Sequence, residues 1–343
     1  MKPRSVLLTL LSLLVGITLV VLLAARADVS WHAFAIQLGT TDPVVFIRLS
    51  LLFALNTYLS SAKWRLTDRV LRGPTDGALP RSTAFAMSSI GVALGQILPI
   101  QFSMSLARTV GTWVYGRALR RGTLGTLFEQ GFDFLILSFL MAASAVTLLL
   151  HGGAATWFAS ALLISGFALW GVGSAMKPAS RLTAHFAANG SNGGDHVRWR
   201  RLLTELHNSG LLQSHLARQL MAISTVRFAV QVLMASQTAA AIRADIPLWH
   251  LAAAVPFALV VAVVGITPGG LGLAEFTFAG TLTLFGTPPA VATQWAIANR
   301  LLVFASAFVV AVFGAMVLFR EKARRKARQQ GVATSDVSVS RVN

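Results

Sequence analysis

Ionisable residues that stand within or beside otherwise apolar segments include Arg108, Glu129, Asp133, Arg227, Glu275 and Arg300. A charge at the centre of a membrane helix costs about 2.5 to 3.5 kcal/mol on insertion scales, so each needs a partner, water or a function. Glu129 and Asp133 are four residues apart, which puts both carboxylates on one face of a helix. Such a pair can bind a cation, relay a proton or pair with Arg300. The alternative is a set of static ion pairs between helices that only fixes the fold.

A second kind of chemistry lies in "TPGGLGLAEF", Thr267 to Phe276. Proline has no amide hydrogen and glycine tolerates left-handed φ, so Pro268, Gly269, Gly270 and Gly272 allow the chain to leave helical geometry. Unwound backbone at membrane depth persists only where protein or water covers it, and a ligand cavity is the natural cover. A helix restarting near Leu271 would present free amides and a positive dipole end there, a setting that favours an anionic headgroup such as phosphate. Glu275, in the first turn of that helix, could neutralise this end or hold an arginine.

These residues have to be carried by membrane helices. The chain has 343 residues, 55% of them hydrophobic and 12% charged. Long apolar runs occupy 5–25, 44–62, 128–150, 155–176, 219–242, 249–266 and 290–319, with shorter interrupted runs at 84–98, 109–119 and 271–286. Runs of about 18 residues or more span a bilayer as helix, and the absence of alternating hydrophobicity argues against a membrane barrel. The expected fold class is therefore all-α, a polytopic helix bundle. The opening run exceeds the usual signal-peptide core, so an uncleaved first helix is expected.

The net charge of +17 flanks the apolar runs rather than forming one basic face, which argues for topology and against nucleic-acid binding. Basic clusters near Lys2, at Lys63 to Arg81, at Arg117 to Arg121, at Lys177 to Arg218 and at Arg320 to Arg328 mark cytoplasmic ends; the connections at 151–156 and 243–245 carry little positive charge. Parity then makes 84–119 a hairpin entered from the cytoplasm and 249–286 a hairpin entered from outside. Each has a proline near its break, Pro99 and Pro268, followed by an ionisable residue, Arg108 and Glu275. Paired broken segments of opposite orientation point to an inverted-repeat transporter with its site at the repeat interface. The expected organisation is one membrane domain, 1–320, with halves at about 1–176 and 219–320, a cytoplasmic linker at 177–218, and a disordered basic tail at 321–343. Both termini are expected in the cytoplasm.

Several chemistries are excluded. There is no cysteine, hence no disulfide or thiolate site; the seven histidines lack metal-ligand spacing; no Walker or Gly-x-Ser-x-Gly motif occurs. No metal, cofactor or ATP drive is expected, and any drive must come from a lipid gradient or an ion.

At these residues the chain resembles the flippase-like family typified by the transmembrane part of lysylphosphatidylglycerol synthases. The late "P…GGLG…E" element is matched by Pro268, Gly269, Gly270, Gly272 and Glu275, an earlier element by Pro99 and Arg108, and a third by Glu129 and Asp133 in "FEQGFDF". Ser103 stands where glycine is usual, Arg108 falls one place late, and Gln130 replaces an arginine. The resemblance implies movement of an anionic membrane lipid, a phospholipid or polyprenyl-linked glycolipid, between leaflets of a bacterial inner membrane, and no enzymatic activity of its own. On that reading Arg108, Arg300 and the GGLG amides bind the headgroup, while Glu275, Glu129 and Asp133 balance charge or relay protons. One rival is an accessory subunit presenting a lipid-linked substrate to a separate glycosyltransferase or synthase. Another is a membrane enzyme acting on a lipid phosphate. The chain ends 23 residues beyond Arg320, too few for the soluble transferase domain of the synthases, so lysyl transfer is not expected.

Overall fold

A computed structural model describes residues 3–71, 79–98, 100–114, 119–189, 204, 207–264 and 267–339. Among them there are helices and turns and no strand. The helices are α1 (Pro3–Arg26), α2 (Trp31–Gly39), α3 (Pro43–Leu71), α4 (Arg81–Leu94), α5 (Ile100–Val114), α6 (Leu119–Leu149), α7 (Ala154–Asn189), α8 (Ser214–Ala241), α9 (Leu248–Val264), α10 (Leu273–Leu284) and α11 (Pro289–Val339). Five helical stretches of the described chain are long and apolar enough to cross a membrane, in α3, α6, α7, α8 and α11. Large apolar side chains such as Leu162, Leu163, Phe167 and Trp170 of α7 are exposed, which suits a hydrocarbon surround.

The interrupted runs become two hairpins of short helices. α4 and α5 have 14 and 15 residues, about 21 and 22 Å, and α10 has only 12, about 18 Å, against a hydrocarbon core of roughly 30 Å. α4 packs on α5, and α9 packs on α10. Helix α11 lies against α4 and α10 and orders the two pairs along its length. Near its start, Thr287 meets His250 at the base of the second hairpin, Oγ1 to Nδ1 at 3.0 Å. Further on, Arg300 touches the tips of both hairpins. Beyond that, Glu321 accepts from Ser82 and Thr83 at the base of the first hairpin, at 2.7 and 2.9 Å. The hairpins thus approach from opposite ends of α11 and meet tip to tip at Arg300. Small residues permit this density: Ala252, Ala253, Ala254 and Ala258 of α9 are all buried against neighbouring helices.

Three boundaries differ from the sequence reading. The linker expected at 177–218 is shortened at both ends, because α7 continues through Pro178 to Asn189 and α8 begins at Ser214. The stretch "SRLTAHFAAN" is rich in alanine and other helix formers, which outweigh the proline. The tail expected to be disordered from 321 continues as helix to Val339, through "REKARRKARQQ", again a run of strong helix formers. Helix α2 was not anticipated. Pro99 lies outside the described residues; the chain before it turns at Gly95 to Leu98.

The tips make close backbone contact. Gly269 has φ +58°, and a Cβ there would lie 2.5 Å from the Gln96 carbonyl oxygen. Gly269→Ala is therefore expected to destabilise the protein by at least about 2 kcal/mol, strain and clash combined. Gly131→Ala, at an open position on α6, is expected to be neutral or stabilising by up to about 1 kcal/mol. Thermal unfolding in detergent checks the pair, and equal effects would contradict the tip contact.

Candidate functional site

The second hairpin breaks where its glycines require it. A 3-10 turn, Pro268–Gly270, carries Gly269 and Gly270 in left-handed φ, and Gly272 at φ +80° precedes α10. Within the turn the Gly270 amide donates to the Thr267 carbonyl at 3.0 Å. The Gly272 amide donates to Glu275 Oε2 at 2.6 Å, so the carboxylate at the third helical position caps its own helix. Glu275 is almost wholly buried, and its Oε1 lies 3.6 Å from Arg300 Nε. The same guanidinium donates through Nη1 to the Gly269 carbonyl at 2.8 Å and through Nη2 to the Gln96 carbonyl at 3.2 Å. One arginine therefore satisfies carbonyls freed at both hairpin tips.

A second charged network lies deeper among α3, α5, α6 and α8. Arg108 of α5 is fully buried; it donates to Glu129, to the Ser60 carbonyl at 3.1 Å, to Ser60 Oγ at 2.8 Å and to Ser88 Oγ at 3.3 Å. Its guanidinium carbon sits 5.2 Å from the centre of the Trp64 ring, a cation–π contact. Lys63 of α3 is equally buried, donating to Asp133 Oδ1 at 2.6 Å and Ser224 Oγ at 2.9 Å, with Glu129 Oε2 at 3.7 Å. Arg227 of α8 donates to Asp133 and, at 3.2 Å, to Asn56 Oδ1. Glu129 and Asp133 thus tie α6 to the three helices around it.

Between the two clusters lies a cavity of about 250 Å³. Its polar wall includes Glu129, Asp133, Arg227, Gly269, Glu275 and Arg300, and its apolar wall includes Phe134, Phe228, Phe278 and Val303. Of the residues singled out in the sequence, Glu129, Asp133, Arg227, Gly269, Glu275 and Arg300 face this one space. Arg108 does not; it stands behind Glu129. Among the described residues Glu275 pairs with Arg300, an arginine as expected, and Glu129 and Asp133 pair with Arg108, Lys63 and Arg227 rather than with Arg300. Pro268 opens the 3-10 turn beside the cavity. The Gly270 and Gly272 amides are engaged within the turn and by Glu275, and the Arg227 and Arg300 guanidinium groups are charged donors on the cavity wall.

Lys63 belongs by sequence to a basic cluster marking a membrane surface, but the structure buries it completely. Its signal was present. Asn56, Ser60, Lys63 and Thr67 follow spacings of four, three and four, a polar stripe on one face of α3, and all four are buried. Ser224 and Arg227 mark a matching face on α8.

Removing one member of a buried pair strands the other. Glu129→Ala leaves the fully buried Arg108 without its carboxylate and is expected to cost about 3–5 kcal/mol. Asp133→Ala, whose side chain is 24% exposed, should cost less. Unfolding of the two variants in detergent measures the ranking, and a reversed order would contradict it.

No curated protein and no solved structure matches the chain. A family model does, that of the lysylphosphatidylglycerol synthase TM region, over residues 9–312. The match spans both hairpins, both charged networks and the whole cavity wall. The protein is a multi-pass membrane protein, and its chain belongs to the lysylphosphatidylglycerol synthase TM region family.

Proposed function

We propose that the protein moves an anionic lipid between the leaflets of a bacterial inner membrane, holding the headgroup in the cavity between the hairpin tips. The observation that carries this reading is a charge imbalance. Among the described residues, four basic side chains, Lys63, Arg108, Arg227 and Arg300, stand around the cavity and directly behind its wall against three carboxylates, Glu129, Asp133 and Glu275. A surplus positive charge in hydrocarbon is costly, and a bound phosphate or phosphodiester would offset it. The two cations that keep some exposure, Arg227 at 13% and Arg300 at 19%, are also the two that line the cavity.

The size supports a headgroup in the cavity with acyl or prenyl chains left in the bilayer, since about 250 Å³ is small for a whole lipid. The opposed hairpins would then act as the two gates of an inverted repeat, with the termini in the cytoplasm as the basic clusters suggest. On this reading the carboxylates set the position of the arginines and prevent an unpaired cation when the cavity is empty.

Reconstitution in vesicles containing a fluorescent anionic phospholipid tests the proposal. The wild-type protein is expected to transfer it between leaflets, and Arg300→Ala and Arg227→Ala to slow transfer about tenfold or more, each having lost a charge-assisted contact of about 1.5–3 kcal/mol. Absence of transfer for any anionic phospholipid or glycolipid, or variants as fast as the wild type, would contradict it.

A further inference from the structure

We infer that Arg300 is a latch between the two hairpin tips, and that the anion opens it by competing for the same guanidinium. The inference rests on the proposed binding of an anion in the cavity, though not on leaflet transfer. Three directions of the guanidinium are in use: Nε toward Glu275, Nη1 on the Gly269 carbonyl, Nη2 on the Gln96 carbonyl. A phosphate grips arginine through two parallel N–H groups and is a far stronger acceptor than a neutral carbonyl. Two of the five N–H groups remain beyond these three contacts, and where the phosphate takes the Nη pair that holds the tips it displaces at least one tip carbonyl.

A displaced carbonyl loses its donor at membrane depth, so its tip withdraws toward water in the cavity. The tips are otherwise closed on one another, since a Cβ at Gly269 would lie 2.5 Å from the Gln96 oxygen and 2.7 Å from Arg300 Nη2. Release of Gln96 opens the side from which the first hairpin enters. Release of Gly269 opens the opposite side. The contact to Gln96 is the longer of the two, 3.2 against 2.8 Å, and is the one that yields first.

The absence of cysteine makes the latch directly readable. Thr267 is buried beside the tip, and its Oγ1 has no hydrogen-bond partner among the described residues, so Thr267→Cys removes no bond. Gln96→Cys keeps the backbone carbonyl that Arg300 holds. Maleimide labelling of each single-cysteine protein in detergent then reports tip opening. Dihexanoyl phosphatidylglycerol is expected to speed labelling several-fold, first at position 96, while dihexanoyl phosphatidylcholine does not. Glycerophosphate in a parallel arm distinguishes a lipid headgroup from free phosphate, and acceleration by either anion supports the latch. Arg300→Lys, whose donors share one nitrogen in place of the planar fork, is expected to label faster than the wild type at both positions without any anion.

Labelling that ignores both anions overturns the latch, in a measurement that leaves Arg300 intact. So does an Arg300→Lys protein labelled at the wild-type rate at both positions. Vesicle transfer with anion-insensitive labelling removes the latch alone. Anion-sensitive labelling without transfer removes the transport reading and leaves the latch standing.

Discussion

Backbone that leaves helical geometry inside hydrocarbon must find donors for its carbonyls, and in this protein one guanidinium provides them to two separate chain breaks. Arg300 holds Gly269 of the second hairpin and Gln96 of the first, while Glu275 holds Arg300 and caps α10 through the Gly272 amide. The short helices, the left-handed glycines and the tip-to-tip contact all depend on that satisfaction. Were the carbonyls left free, each would carry a desolvation cost of about 1–3 kcal/mol or more, and the broken hairpins would be replaced by straight spans.

The deeper network solves a related problem with side chains. Arg108 and Lys63 are fully buried cations, tolerable because Glu129, Asp133, Ser60, Ser88, Ser224 and the Trp64 face surround them. Their positions fasten α3, α5, α6 and α8 together, so the same contacts that offset the burial of charge also hold the cavity wall in place. Structural ion pairing and the proposed binding of an anion are therefore not competing descriptions of these residues. The inner cations are saturated by protein, whereas Arg227 and Arg300 face the space between.

Much of this organisation could be read from residue type and spacing. The Pro and Gly interruptions located the second break, the apolar runs implied an all-helical membrane bundle, and Glu129 with Asp133 named a charged helix face. What could not be read was partner choice. Arg108 pairs with Glu129 because α5 packs on α6, a tertiary fact that no local spacing encodes. Lys63 was misplaced for a more instructive reason: a lysine near the end of an apolar run resembles a topology marker unless the polar stripe it belongs to is followed along the helix. Of the GGLG amides expected to face a ligand, those of Gly272 and Gly270 are taken by a carboxylate three residues after Gly272 and by a carbonyl within the turn. Helix propensity, given too little weight in "REKARRKARQQ", accounts for the extended end of α11.

The central claim is that the cavity between the tips holds an anionic lipid by its guanidinium groups. Native mass spectrometry of the gently purified protein asks this without assuming which lipid is carried. The account predicts a net-anionic lipid retained by the wild type and lost from Arg300→Ala and Arg227→Ala proteins of unchanged fold. Retention of only neutral lipids, or equal retention of an anionic lipid by all three proteins, would contradict it.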